Sequence, residues 1–562
     1  TITLGSAESG YQTFADAGVA NGDVVRYVIE DGNNWEIGTG TYTSSGTTLS
    51  RTVSESSNSD AAINLSGSAT VFIGATAEDI PALYAANPSS ATDPVATGAN
   101  AVAIGDTSVA SGADSISLGS DTEAKASFSV ALGQGATAET NCIGGVAIGY
   151  NTTAWSNRSI SIGNAYGGTG SLSNYSTAIG YRSKAGVDQT TGQYATALGI
   201  EAIAIGQQSV ALTDSYASGT DSFAAAIATN SSSYGATGAN SVAIGYQAKA
   251  TFQYGLALGA GTQATNTNAF SAGYYSTASG QRSTALGWDA TASGSDAIAI
   301  GRDTDATSTE SVALGRYAQA AGQRAVALSN ARAGGSDSFA AIIANNTSSY
   351  GATGANSIAM GYQCKSSADS SSVALGRQSI ASANYACAIG NGATASAANA
   401  FAFCDSATAS GFRSVALGRS STQGISGKHS RGAYIFSSVG DAQEGKYVLL
   451  SDTTDATAEA LTTTNGAASA TNQIILPNNS AYSFSGTIIA RESAAAGSDY
   501  ASWEIKGALL RDANAASTVL GNGIVNKLYA TSGASAWAVA LTADTTNGGL
   551  KVEVTGAAAT NI

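Results

Sequence analysis

The stretch "STALGWDATASGSDAIAIG", from Ser283 to Gly301, contains one unit of a repeat that runs through most of this chain. A phrase such as "STALG" or "AIAIG" closes on a glycine, and the next phrase closes 14 residues later. We call this closing residue the motif glycine. Repetition at one short period is typical of stacked, solenoid-like architectures. The marks, with insertions and three replacements, are Gly105, Gly119, Gly133, Gly149, Gly163, Gly180, Gly199, Thr213, Gly245, Gly259, Gly273, Gly287, Gly301, Gly315, Ser329, Gly361, Gly376, Gly390, Cys404 and Gly418.

Each 14-residue repeat is predicted to contain two short strands. "SVALG" alternates with period two, as a strand does, so Val and Leu share one face and the Ala between them takes the other. We expect Val and Leu to fill the interior and the Ala column to face outward, where other copies could approach. A second phrase, such as "ATASG" from Ala290 to Gly294, supplies the second strand. The motif glycines are expected at tight corners with positive φ, and successive coils pair in parallel.

The phrase "SYGATGANSVAIGYQAKA" at Ser233–Ala250 returns 116 residues later as "SYGATGANSIAMGYQCKS" at Ser349–Ser366. "TGAN" also opens the repeat region, at Thr97. We interpret the doubled phrase as a duplicated connector, with irregular joints near 214–236 and 330–352. A bulge is expected at Tyr234 and Tyr350.

The composition excludes several function classes. Only 11% of the 562 residues are charged and the net charge is −15, with no Lys/Arg run, so nucleic acid is not expected as a partner. No stretch of 18 apolar residues occurs, so no membrane insertion is expected. The four cysteines form no CxxC pair and have no histidine at metal spacing, so neither a metal nor a cofactor is expected.

The phrases "TGANSVAIG", "SVALGRYAQAAGQRAVAL" and "STALGWDATASGSDAIAIG" resemble the head repeats of YadA-like trimeric autotransporter adhesins. The resemblance covers about 95–423. It implies a left-handed parallel β-roll of 14-residue repeats, a homotrimer and an adhesive or spacer role. It assigns no catalytic residue.

The flanks differ in composition from the repeats. Alternating strands and Gly-rich turns predict a small antiparallel β domain at 1–80, followed by a Pro-containing linker at 81–94. After a junction at 424–440, longer alternating strands predict a β-sandwich at 441–562. The chain ends at Ile562 on what reads as the start of another strand, which would place the true C-terminus further on. The fold class is therefore all-β throughout.

Both flanks resemble phage fibre modules. "YVIEDGNNWEIGTGTYTSSGTTLSRT" resembles an N-terminal module of phage tail fibres, which generally lies toward the virion. "LPNNSAYSFSGTIIAR" and "LTADTTNGGLKVEVTGAAATNI" resemble C-terminal domains of phage fibre proteins.

The sequence offers little for catalysis. The one histidine, His429 in "GKHSRG", has no G-x-S-x-G motif around it. Glycan hydrolysis would need paired carboxylates, and the candidates Asp303 with Asp305 and Asp121 with Glu123 lie in the variable corners after the motif glycine. We expect solvated corners there, with a bound cation as an alternative, and no enzymatic activity.

The residue directly after the motif glycine is often aromatic or Arg. Stacked coils would align these residues into what we call the corner ladder. It would either support the stack through cation–π contacts or bind a surface glycan. Its members are Tyr150, Tyr181, Tyr246, Tyr274, Trp288, Arg302, Arg316, Tyr362, Arg377 and Arg419.

The leading hypothesis is a trimeric phage tail fibre, exposed on the virion. Its N-terminal domain would dock on tail or baseplate proteins, the roll would be a stiff shaft, and 441–562 would contact a host glycan or protein receptor. A bacterial trimeric surface adhesin is the alternative, although no sustained heptads or membrane anchor are found. A head or neck fibre, or a tailspike-class enzyme, would be further alternatives.

Overall fold

A computed structural model describes residues 1–75, 92–164, 170–225, 233–341, 349–493 and 499–562. The described chain is all-β, with no α-helix and two short 3-10 turns, Ser44–Gly46 and Ala515–Ser517. It divides into two compact units, Thr1–Arg158 and Ser159–Ile562. No helix in these ranges is long and apolar enough to cross a membrane.

The first unit opens with a small antiparallel sheet, as the alternating N-terminal strands predict. Its centre is a hairpin of Val24–Asp31 and Asn34–Thr43, whose two turn residues are Gly32 and Asn33. The core is small and consists of Tyr27, Ile29, Tyr42, Leu49 and Ile63. The strands are Ile2–Thr3, Val24–Asp31, Asn34–Thr43, Thr48–Leu49, Thr52–Ser56 and Thr70–Ile73. Most of the expected linker at 81–94 lies outside the described residues.

A buried ionic network holds this small domain together. The Glu36 carboxylate is fully buried and pairs with the Arg51 guanidinium, whose Nε donates to Oε1 at 2.8 Å. Tyr27 Oη donates to the same oxygen at 2.7 Å, and the Ile63 amide donates to Oε2 at 2.9 Å. Burial raises the pKa of Glu36, but these hydrogen bonds and the Arg51 charge outweigh it and hold the pKa below its usual value.

Glu36→Gln should therefore destabilise the N-terminal domain by about 3–5 kcal/mol, because it leaves the half-enclosed Arg51 guanidinium without its counter-charge. Denaturant unfolding, followed by Trp35 fluorescence, measures the loss, and Glu30→Gln on the exposed side of the same hairpin is the matched control. Because the folded-state pKa of Glu36 is depressed, its contribution is present at neutral pH and is lost as pH falls through the folded value. An unfolding midpoint equal to that of the control would contradict this role.

The coils follow the predicted period in both units. In each coil a first strand of about three residues is followed by a second strand of two, and both pair in parallel with their equivalents 14 residues away. Ile298, Ala299 and Ile300, for example, pair with Val312, Ala313 and Leu314. The central region makes about 23 turns of this β-solenoid.

The strand bounds are as follows. In the first unit, the first strands are Val102–Ile104, Ile116–Leu118, Val130–Leu132 and Val146–Tyr150, and the second strands are Val95–Ala96, Val109–Ala110, Glu123–Ala124, Thr137–Ala138 and Thr153–Ala154. In the second unit, the first strands are Ile160–Asn164, Thr177–Ile179, Thr196–Leu198, Val210–Leu212, Phe223–Ala225, Val242–Ile244, Leu256–Leu258, Phe270–Tyr274, Thr284–Trp288, Ile298–Ile300, Val312–Leu314, Val326–Leu328, Phe339–Ala341, Ile358–Met360, Val373–Leu375, Cys387–Ile389, Phe401–Phe403, Val415–Leu417 and His429–Tyr434. Its second strands are Gly170–Ser171, Lys184–Ala185, Ile203–Ala204, Tyr216–Ala217, Gly235–Ala236, Lys249–Ala250, Gln263–Ala264, Thr277–Ala278, Thr291–Ala292, Asp305–Ala306, Gln319–Ala320, Arg332–Ala333, Gly351–Ala352, Lys365–Ser366, Ile380–Ala381, Thr394–Ala395, Thr408–Ala409 and Thr422–Gln423.

The expected assignment of the two strand faces is wrong. Ala299 and Ala313, in the middle of the first strand, are completely buried, and so are Ala292 and Ala306 of the second strand. The Val and Leu positions point outward, and Ile300 remains 39% exposed. The coil is so narrow that methyl groups fill the space between its two strands, and larger side chains have no room inside. We call the outward Val and Leu positions of the first strands the V-A-L face.

The motif glycines have the positive φ that the corners predict. Gly287 and Gly301 have φ of 137° and 138°, a region that L-residues with a side chain rarely adopt. The glycine after the second strand has a different role. At Gly294 φ is ordinary, but an added Cβ would collide with the carbonyl oxygen of Ser308 in the next coil.

The serine that opens many phrases closes a corner. Ser283 Oγ is buried and donates to the Gly280 carbonyl at 2.7 Å, and Ser241 and Ser311 bond in the same way to the residue three positions before them. Where a serine replaces an interior alanine, a second hydroxyl accompanies it, as Ser271 and Ser276 do at 2.8 Å. These hydroxyls are thereby satisfied inside a methyl-lined coil, whereas the buried hydroxyls of Ser222, Ser338 and Ser414 at the same corner position have no hydrogen-bond partner.

The two joints lie partly outside the described residues, at 226–232 and 342–348. The extra residues fall between the first strand Phe223–Ala225 and the second strand Gly235–Ala236, and at the equivalent place in the second copy. Pairing continues across each joint, since Phe223 pairs with Val242 and Phe339 with Ile358. Tyr234 and Tyr350 pack partly buried against the alanine core.

The C-terminal region forms two antiparallel four-stranded sheets, as the longer alternating strands predict. Side chains from both sheets, including Leu476, Ile505 and Val552, form a shared core. The last residues form no further strand, and Ile562 exchanges backbone hydrogen bonds with Thr453. One sheet contains Ala458–Ala460, Ile474–Ile475, Ala538–Asp544 and Gly549–Thr555, and the other contains Ser480–Arg491, Tyr500–Arg511, Val519–Leu520 and Ile524–Ala530.

A buried lysine lies where the solenoid ends. Lys428 follows Ser414 by 14 residues and so occupies the position of a corner-closing serine. It is 4% exposed, and its Nζ lies 5.3 Å from the centre of the Tyr447 ring. Among the described residues no hydrogen bond or ion pair reaches this ammonium group. Burial lowers the pKa of Lys428 to about 8.

Lys428→Met should stabilise this junction by about 2 kcal/mol at pH 7, because it removes a buried charge with no counter-charge. The wild-type chain should gain stability as pH rises from about 8 toward the ordinary lysine pKa, since the folded state then binds fewer protons than the unfolded state. Urea unfolding at pH 7 and pH 9.5 measures both effects, with the exposed Lys446→Met as control. A pH dependence that persists in Lys428→Met would contradict this assignment.

Candidate functional site

The corner ladder lies on the surface of the solenoid. Each member follows a motif glycine and therefore stands at the exposed corner between the two strands of a coil. All of its aromatic members are exposed, with Trp288 at 54%. If the corner ladder is aligned as predicted, ladder residues on successive coils should contact one another.

One run of contacts links three consecutive coils. The rings of Tyr274 and Trp288 meet edge to face with centroids 5.4 Å apart, and the Arg302 guanidinium lies 5.1 Å from the centre of the Trp288 ring. Arg302 Nε also pairs with Asp303 at 3.0 Å. Cation–π and edge-to-face contacts of this kind stabilise the stack and fix the orientation of the rings.

A second run lies toward the end of the solenoid. Arg377 lies 5.8 Å from the ring centre of Tyr362, and Arg419 lies 4.8 Å from that of Tyr434. Between them, Asn391 Nδ2 donates to Asp405 at 2.7 Å, and Arg419 Nε pairs with Asp405 at 3.2 Å. Sequence reasoning missed Asn391 and Asp405, although their position after Gly390 and Cys404 marks them as ladder members.

Other members of the corner ladder do not extend these two runs. Arg316 lies over Tyr317 of its own corner at 4.5 Å instead of extending the first run. Tyr150, Tyr181 and Tyr246 are exposed and make no ring contact in the described part of the chain. The structure therefore brings together two short runs, not one continuous stripe.

The opposite corner carries ion pairs between coils. Arg282 forms a two-pronged pair with Asp296 at 2.6 and 2.7 Å, and Arg324 pairs with Asp337 in the same way. Hydrogen bonds from Arg282 lower the pKa of Asp296. These pairs are exposed, so each adds little to stability.

The V-A-L face is a regular apolar surface of the described solenoid. Leu314 and Ile300 are more than a third exposed, and equivalent positions are apolar in nearly every coil. The Val position becomes Phe in four coils: the Leu position is Ala in three of them, Phe223–Ala225, Phe270–Ala272 and Phe339–Ala341, and Phe in the fourth, Phe401–Phe403.

Asp121 and Asp303 lie in corner turns as predicted, whereas Glu123 and Asp305 are the first residues of second strands and not corner residues. Glu123 Oε2 pairs with Lys125 at 2.6 Å, and Asp121 accepts from the Thr107 hydroxyl. Burial, with the nearby charges of Asp289 and Asp303, raises the pKa of Asp305.

The two remaining candidates from the sequence are the histidine and a metal site. His429 is exposed at the start of its strand. The described residues contain no cluster of three His, Cys, Asp or Glu side chains that could hold a metal ion.

The repeated narrow coil with an apolar outer face defines the class of the protein, a β-solenoid. Nine partly overlapping segments of the central region match the family model of the YadA head domain repeat, and such repeats imply a trimeric, adhesin-like fibre. No curated protein sequence matches the chain. The residues that match the family model, which covers two copies of the repeat, are 96–122, 110–136, 143–165, 191–212, 236–262, 278–304, 306–328, 352–379 and 370–393.

Proposed function

We propose that this protein is a structural virion protein, a trimeric phage tail fibre that attaches the particle to its host cell. The observation that carries the proposal is the long run of coils with an exposed apolar V-A-L face, placed in sequence between two antiparallel β domains. Three copies packed through this face form a shaft. The N-terminal domain docks on tail or baseplate proteins, and 441–562 contacts the receptor.

Binding, not catalysis, is the proposed activity. Among the candidate groups, Glu123 is paired with Lys125, Asp305 is partly buried at the start of its strand, and His429 is exposed at the start of its own. Three receptor-binding domains at one tip would strengthen weak individual contacts through avidity.

The flanking phrases that resemble phage fibre modules favour the virion over a bacterial surface. The YadA head repeats themselves favour the second candidate, a bacterial trimeric adhesin. A head or neck fibre of a phage is a variant of the first proposal with the same parts.

Two experiments test the proposal: one locates the chain on the particle, and the other measures its competition with phage for adsorption. Antibodies against the chain should decorate the tail in electron micrographs of the phage, whereas decoration of the bacterial surface or of the head would favour the alternatives. The purified chain should compete with phage for adsorption, and a trimeric chain that lacks 441–562 should not. Equal competition by both would remove the receptor-binding assignment from the C-terminal sandwich.

The corner ladder is proposed as a secondary contact with a surface glycan. Trp288→Ala removes the central ring of the first run and should weaken glycan binding while the trimer persists. Arg282→Ala on the opposite corner is the control, because it removes an exposed side chain without touching the ladder. Unchanged adsorption by Trp288→Ala would leave the run with a purely structural role.

A further inference from the structure

The hairpin that follows the last coil presents an unusual apolar tip. Its strands, His429–Tyr434 and Ala442–Lys446, pair antiparallel. Between them Phe436 is 90% exposed, and Tyr434 and Val439 are 61% and 54% exposed. A large ring held this far into water indicates a surface that is covered by something else.

The tip is held in one shape. The Asp441 carboxylate accepts the backbone amides of Phe436, Ser437 and Ser438 at 2.9, 2.5 and 2.7 Å. Hydrogen bonds from Ser437, Ser438 and Phe436 hold the pKa of Asp441 below its usual value. At the base of the hairpin, Arg419 covers the Tyr434 ring. A loop ordered before contact loses little conformational entropy when it binds.

The hairpin continues the sheet of first strands beyond the V-A-L face. Its first strand pairs in parallel with Val415–Leu417, so His429 and Arg431 stand where earlier coils carry Val and Leu. The apolar V-A-L face therefore ends at Leu417. The next exposed apolar side chains along the chain are those of the tip.

We propose that this tip docks on a second copy of the chain within the trimer. The inference rests on the trimeric fibre proposed above. Asp441 is the only charged residue from Tyr434 to Asp441, and its carboxylate is occupied by backbone amides. The tip is thus an uncharged apolar knob, which suits an apolar protein surface. Because the three hairpins leave the shaft at the same level, each reaches a neighbour of identical sequence.

The test places a photo-crosslinking benzoylphenylalanine at Phe436 in the full chain, purified without host material. Irradiation should yield covalent dimers and trimers on a denaturing gel. The same probe at Tyr11, an exposed aromatic of the N-terminal domain, should yield none and is the matched control. Light scattering is run on both samples first. A chain that is not trimeric would refute the proposed shaft, whereas a trimer without crosslinks at 436 would refute only the docking of the tip.

Two substitutions measure the strength of the contact. Phe436→Ser should speed the exchange of labelled subunits between trimers by roughly tenfold or more, because one buried phenyl ring is lost per copy. Asp441→Asn should act in the same direction but less, since it loosens the loop and keeps the ring. Exchange at the wild-type rate in Phe436→Ser would overturn the proposal.

Discussion

Ala299→Leu should destroy the coil that contains it. Ala299 is completely buried between two strands whose facing residues are also alanines, so the three added carbons have no cavity to enter. Overpacking of this kind costs about 3 kcal/mol or more, and the trimer carries the substitution three times. Since each coil is stabilised by its neighbours, the defect should spread to adjacent coils.

Thermal unfolding by circular dichroism and limited proteolysis around 299 would measure this loss. The control is Ile298→Leu, a change of equal volume at the neighbouring outward position. The comparison separates the two possible assignments of the strand faces. If Ala299→Leu were as stable as Ile298→Leu, the interior would have to contain the larger residues, as the sequence analysis expected.

Leu314→Asp should abolish the trimer. Leu314 is exposed in one chain and lies on the V-A-L face, so the association proposed through this face would bury it. Around a three-fold axis the substitution would bring three carboxylates to one level, and each costs several kcal/mol to desolvate. Light scattering should report the mass of one chain, 55.3 kDa, in place of three times that value.

Ser293→Asp, at an exposed position directly after a second strand, is the matched control and should remain trimeric. A Leu314→Asp chain that stayed trimeric with unchanged thermal stability would exclude the V-A-L face as the contact between copies. The YadA head repeats would then need a different face for their association.

The sequence alone reveals the period, the strand positions and the corners of the solenoid. Parallel stacking forces equivalent residues of successive coils into the same conformation, so Gly287 and Gly301 recur where φ is positive. Alternating strands also predict both flanking β domains. These features depend on residues that are close together in the sequence, or on a short pattern that repeats, and can therefore be recognised in the sequence itself.

The long-range polar contacts could not be predicted. Glu36 meets Arg51 and Tyr27 across the N-terminal sheet, and nothing near Glu36 in the sequence marks it as buried. Lys428 reads as a polar junction residue, yet the end of the solenoid encloses it. The 14-residue period predicted that the corner-ladder residues form a column along the solenoid. The hydrogen bond between Asn391 and Asp405 could not be predicted, because it depends on the directions of the two side chains.

The decisive example is the middle alanine of each first strand. Period-two alternation establishes that Val312 and Leu314 share one face and Ala313 the other, but it does not state which face is inside. The usual preference of large apolar residues for the core pointed the wrong way. Only the tertiary structure decided, because the two strands of a coil approach so closely that methyl groups alone fit between them. The larger side chains are thereby left outside, where the proposed association with two further copies would cover them.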